Sequence, residues 1–107
     1  MTVSITIHSR HRRIGSALKE HIEHQLQRIL KVDPSLSTVD VEISAERDGA
    51  HDDARVDLTA ISHGRVLRVE ERAPDAWHAV DRASKRLQEQ VRRERQRRLG
   101  RRFVGRR

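Results

Sequence analysis

From Thr2 to His8 the chain alternates, with Val3, Ile5 and Ile7 on one side and Thr2, Ser4, Thr6 and His8 on the other. Period two marks a half-buried strand. Ser9 to Arg13 is a short polar link with a basic knot. From about Gly15 the period changes: Leu18, Ile22, Leu26, Ile29 and Leu30 form one helical stripe, and Asp33-Pro34 ends it. Glycine is an acceptable N-cap for that helix, though weaker than threonine or serine. Val39, Val41, Ile43 and Ala45 then alternate with Asp40, Glu42, Ser44 and Glu46, a second strand. Arg47 to Asp53 is expected to be a turn. A third strand carries Val56, Leu58 and Ala60, Ser62 to Arg65 make a tight hairpin, and a fourth strand carries Leu67 and Val69. A last helix begins near Pro74-Asp75, with proline and aspartate suited to its first turn. Its stripe is Trp77, Val80, Ser84, Leu87 and Val91.

This order, β-α-β-β-β-α, restricts the fold. A strand, a helix and a neighbouring strand favour a right-handed crossover with the two strands parallel. The next two links are short, so strands two to four form an antiparallel meander. Each strand has one apolar face and each helix one stripe, so two layers suffice. The expected fold is an α+β two-layer sandwich, a four-stranded mixed sheet with both helices on one face. The opposite sheet face, with Asp40, Glu42, Asp57 and Glu70, should meet water. The chain of 107 residues makes one domain, and with 2% aromatics its core must be aliphatic.

Charge changes the picture of the last helix. Residues 81–107 hold twelve Lys/Arg against Asp81, Glu89 and Glu94, a net of +9, whereas residues 1–80 hold eleven basic and thirteen acidic residues, a net of −2. The excess of +7 therefore sits in one helix and its tail. Arginine-rich codon usage accounts for twenty arginines beside three lysines, but not for where the acids are missing. At 100° per residue, Arg82, Lys85, Arg86, Arg92 and Arg93 fall opposite the apolar stripe, the footprint of a polyanion-binding surface. Arg95 and Arg98 swing back onto the stripe, so the helix is expected to outrun the body after Val91 and to stop at Leu99-Gly100. Residues 1–98 then form the folded domain and 99–107 a basic, flexible tail, short of apolar surface.

Other chemistry is weakly represented. His21 and His24 stand at i, i+3, but neither cysteine nor a convergent third ligand accompanies them. Asp52-Asp53 lack the spaced oxygens of a calcium loop. Glu70 and Glu71 point to opposite faces of a strand and cannot act as an acid/base pair. With no nucleophile elbow and no phosphate-cradling glycine loop, we expect no enzyme, no cofactor and no small-molecule substrate. The alternating N-terminus is unlike a signal peptide and no run approaches a membrane span, so the reading is a cytoplasmic protein that contacts no membrane. The absence of cysteine fits a reducing compartment. Trp77 begins the apolar stripe and reads as core rather than as a stacking platform.

The second half resembles the ribosome hibernation-promoting factor family, also called ribosome-associated translation inhibitors. The hairpin His63-Gly64-Arg65 and the strand Val66 to Arg72 are followed by Asp75, Trp77, Ala79, Val80 and Asp81. That series is similar to the family's aspartate, aromatic, alanine, isoleucine, aspartate. Arg86-Leu87, Gln90-Val91 and Arg93 match the next family segment, while Arg10 and Ala17-Leu18 match its first half. His11, Gly15 and Glu89 depart from the pattern. Ending at Arg107, the chain resembles a short form or an isolated N-terminal domain. The resemblance implies a stress or stationary-phase factor that binds small-subunit rRNA in the channel of mRNA and the A- and P-site tRNAs, stopping translation. The expected RNA-binding residues are Arg10, Arg12 and Arg13 in the link, and Lys19, Arg28 and Lys31 on the first helix. On the second they are Arg82, Lys85, Arg86, Arg92, Arg93, Arg95 and Arg97. The residues alone also suit a free double-stranded RNA or DNA binder.

Overall fold

The computed structural model describes residues 4–10, 14–48 and 51–104. Its elements are β1 (Ser4–Arg10), α1 (Ser16–Val32), β2 (Leu36–Asp48), β3 (His51–Ser62), β4 (Arg65–Ala73) and α2 (Ala76–Val104). The four strands form one sheet in the order β1-β2-β3-β4. β1 runs parallel to β2, with Ile5 opposite Val39 and Ile7 opposite Val41, and the two later pairings are antiparallel. The expected α+β sandwich is the observed one.

Register follows from turn chemistry and from the apolar pattern. In the β3–β4 hairpin Ser62 pairs with Arg65, and the two residues between them, His63 and Gly64, take φ values of 50° and 78°. Two left-handed residues make the turn whose twist matches its strands. Glycine supplies one without steric cost, and histidine is among the residues that tolerate the other. Val41, Leu58 and Val69 then line up across three strands. The link between β2 and β3 is shorter than the expected Arg47–Asp53 turn. Arg47 pairs with Asp52 and Asp48 with His51, leaving only residues 49–50 between the strands. β1 stops opposite Ser44 and β4 opposite Ala54. Among the described residues β2 and β3 pair beyond these points as a two-stranded ribbon, which the hydrophobic pattern does not mark.

The core lies between the sheet and the helices. Ile22, Leu26 and Ile29 of α1, Val41 and Ile43 of β2, Val56 and Leu58 of β3, Val69 of β4, and Leu87 and Val91 of α2 are all at most 2% exposed. The opposite sheet face is polar as expected: Asp40 and Glu70 are exposed, and Arg55 reaches Asp57 at 3.2 Å and Glu70 at 2.9 Å. The helices lie side by side and run the same way. His21 meets Asp81 near their starts, and Arg95 donates to the Val32 carbonyl at the far end of α1. Gly15 caps α1 in an extended conformation, accepting from the Lys19 amide at 3.1 Å, and the Asp33 amide closes it on Ile29 at 3.1 Å.

Three expectations for α2 are corrected. Trp77 is not core but 45% exposed. The buried line runs through Ala76, Ala79, Val80, Ala83, Leu87 and Val91, whose small members let α2 lie close to β3 and β4. An indole on that line would hold the helix off, and Trp77 sits on the flank facing α1. Nor does α2 leave the body after Val91. Glu94 is 6% exposed and takes Arg65 on both carboxylate oxygens at 3.1 Å, while Arg98 reaches Asp33 at 2.7 Å. Polar partners from the hairpin and the end of α1 continue the packing where apolar ones end. Finally, the helix passes through Gly100 to Val104. A glycine inside a helix costs only about 1 kcal/mol relative to alanine, and the arginines around it are good helix formers.

Candidate nucleic-acid interface

The contacts that join the helices also locate the groove between them. His21 Nε2 lies 2.6 Å from Asp81 Oδ1, and Gln25 donates to the same oxygen at 3.2 Å. Arg95 and Val32 make the second anchor. Helical periodicity places Arg28 of α1, and Lys85 and Arg92 of α2, between these anchors along the groove. All three are exposed, and Lys31 is exposed on the outer side of α1. On the opposite flank of α2, above β4, stand Arg82, Arg86, Arg93 and Arg97.

These cations are not equivalent. Arg82 donates to the Arg72 carbonyl at 3.0 Å, and Arg86 to the Glu70 carbonyl and the Glu71 carboxylate, both at 3.2 Å. Both guanidinium groups are thus partly committed to the open edge of β4. Among the described residues, Arg28, Lys31, Lys85, Arg92, Arg93 and Arg97 have no ion pair or side-chain hydrogen bond. Glu89, also exposed, stands at the middle of the same outer face.

The rest of the expected set is not gathered there. Arg10 pairs at 3.5 Å with Glu42 on the sheet face away from the helices. Lys19 is on the β1 flank of α1, beside Ile5, Ile7 and Glu23. Arg95 is tied to the end of α1. Arg12 and Arg13 lie outside the described residues.

Two carboxylates fix the ends of this surface. Asp75 accepts the His78 backbone amide at 2.9 Å and its ring at 2.5 Å, bonds that hold its carboxyl below the usual value and cap the start of α2. At the other end Asp33 is 3% exposed. Burial pushes its carboxyl up, but Ser35, Arg98 and Ser62 together outweigh this and leave it below the ordinary value. The sequence pattern marks Asp33 only as a helix stop and gives no signal for His21 or Trp77 at the groove. Their rings lie 4.8 Å apart, tilted by 36°. Among the described residues no three His, Asp or Glu side chains gather as metal ligands, and no helix is long and apolar enough to cross a membrane.

Residues 5–99 match the family described as Sigma 54 modulation protein / S30EA ribosomal protein. The chain belongs to this family. It is also the family to which the sequence motifs pointed. The N-terminal domain of Thermus thermophilus Protein Y is 30% identical with a TM-score of 0.70; the match covers 87% of this chain and 98% of that one. A ribosomal subunit interface protein from Coxiella burnetii has a TM-score of 0.76 at 19% identity, over the same shares of each chain, and supports the fold alone. No curated protein matches the chain. What the S30EA surface offers chemically is a set of solvated guanidinium and ammonium groups at helical spacing, suited to phosphate oxygens.

Proposed function

We propose that the protein binds rRNA of the small ribosomal subunit through the outer surface of α1 and α2, and silences translation by filling the mRNA and A- and P-site tRNA channel. Family membership supports ribosome association. The observation that carries the reading is the row of exposed cations on one face that have no ion pair among the described residues. Clustered cations of this kind are the footprint of a polyanion-binding surface, and a phosphate-lined cleft suits them. Stress and stationary phase are the conditions in which such silencing acts, and the cytoplasm is where it takes place.

The test is cosedimentation with purified small subunits over a salt series, with duplex RNA as competitor. Replacing Lys85, Arg92 and Arg93 together by alanine should weaken binding and reduce the salt slope by about two to three units, near one for each phosphate no longer neutralised. Circular dichroism should not change, because none of the three makes an ion pair or side-chain hydrogen bond among the described residues. Unchanged affinity would remove the proposal, and equal competition by duplex RNA would leave a general RNA binder instead.

A further inference from the structure

Trp77 is the only tryptophan of the chain and is 45% exposed at the start of the helix groove. Its surroundings hold it in place. One side of the indole rests near the His21 ring, at 4.8 Å between centroids. That imidazole is fixed by Asp81 at 2.6 Å, and Asp81 also accepts from Gln25 at 3.2 Å. Asp75 caps the turn that carries Trp77 through the His78 amide at 2.9 Å. The exposed neighbours on this part of α2, Asp75, His78 and Asp81, are polar. No apolar patch surrounds the ring among the described residues, so it does not have the setting of a protein-docking hot spot, which is packed and shielded from water.

Its position along the cationic surface indicates what it meets. Lys85 is eight residues further along α2, about 12 Å at 1.5 Å per residue, and Arg28 lies on the adjoining helix. A flat π surface at one end of a row of phosphate-binding cations is the arrangement that holds a strand with a base turned out, since every base has a face to stack. We infer that Trp77 is a stacking platform for an unpaired nucleobase of the RNA that the helix pair binds. This deepens the rRNA-binding reading and rests on it. The site would select single-stranded or bulged nucleotides over continuous duplex, a preference the cations alone cannot supply.

The single tryptophan provides its own readout. The wild-type protein is titrated with short unpaired oligoadenylate, with a blunt RNA duplex of equal length, and with inorganic polyphosphate, while indole emission is followed. Unpaired RNA should quench the emission in step with binding measured by anisotropy of the labelled RNA, and polyphosphate and duplex should leave it nearly unchanged. Trp77→Leu should weaken binding to unpaired RNA and to small subunits by about 5- to 150-fold, the effect of losing one stacked base. Trp77→Phe should restore most of the affinity, and the salt slope should be the same in all three proteins. Equal affinity of wild type and Trp77→Leu overturns the inference. So does quenching by polyphosphate as strong as by oligoadenylate, or quenching by subunits with none by RNA, which would make Trp77 a contact to ribosomal protein. If the wild type fails to bind subunits, the proposed function falls, and the oligonucleotide titration still judges Trp77.

Discussion

Asp33 shows how much one side chain can connect. Its carboxylate accepts the Ser35 amide at 3.0 Å and hydroxyl, the Ser62 hydroxyl at 3.2 Å and Arg98 at 2.7 Å. The end of α1, the hairpin and the far part of α2 therefore meet on one residue. Asp33→Asn should cost about 2–3 kcal/mol at neutral pH, the range for losing hydrogen bonds to a charged acceptor. Because the folded carboxyl titrates below the ordinary value of about 3.9, the native state binds fewer protons than the unfolded chain through that interval. The stabilisation is complete above it and is lost as pH falls through the folded value. Denaturant titrations of wild type and variant should differ most above the ordinary carboxylate range and approach one another as pH falls below it; a gap that does not narrow with acid would show that the charge is not responsible. Burial gives a second pair of values. Leu87, 0% exposed, should cost roughly 2–5 kcal/mol on change to alanine. Trp77→Ala, at a half-exposed ring, should cost about 1 kcal/mol or less. Leu87 could be read from periodicity; Trp77 could not, because a stripe of alanines beside it gives a weaker pattern than one large ring.

At the scale of elements, the strands, both helix starts and the His63-Gly64 hairpin were legible because period and turn chemistry are local. The ends of β2 and β3 and the second half of α2 were not. What holds α2 past Val91 is Arg65 with Glu94, and Asp33 with Arg98, pairs 29 and 65 residues apart in sequence. No pattern within one helix encodes such partners, so an arginine on the buried line read as a sign of departure. The candidate site was legible in part for the same reason. A charge count finds the cations, but only the fold divides them into those facing solvent and those bound to β4. Arg82 and Arg86 occupy carbonyls of an edge strand, where unpaired groups would otherwise invite another strand. Arg82→Ala with Arg86→Ala should therefore lower stability by about 1–2 kcal/mol, whereas the Lys85, Arg92 and Arg93 triple variant should leave the melting temperature within about 1 °C. A thermal melt of the two variants separates the groups. If both are neutral, the edge contacts contribute nothing and all the cations belong to one class.

The whole molecule is long and flat, with principal extents of 59 × 29 × 18 Å. α2 spans 29 residues, about 43 Å at helical rise, and so carries the cationic row past the end of the sheet. Whether binding needs the helix to stay continuous past Gly100 is a mechanical question. A loose strand finds phosphates wherever they lie and is indifferent to what joins it to the body. A rod presents its charges in register with Arg93 and Arg97 and loses them if the joint is broken. Deleting residues 101–107, which hold four arginines, should weaken subunit binding several-fold at low salt and less as salt rises. Gly100→Pro keeps every charge but removes an intrahelical hydrogen bond and adds a clash. With the helix continuous through Gly100, this variant should lose nearly as much affinity as the deletion, and Gly100→Ala should gain helix content and at least retain binding. Gly100→Pro binding as well as wild type, with the deletion still weak, would show that residues 101–107 work by charge alone.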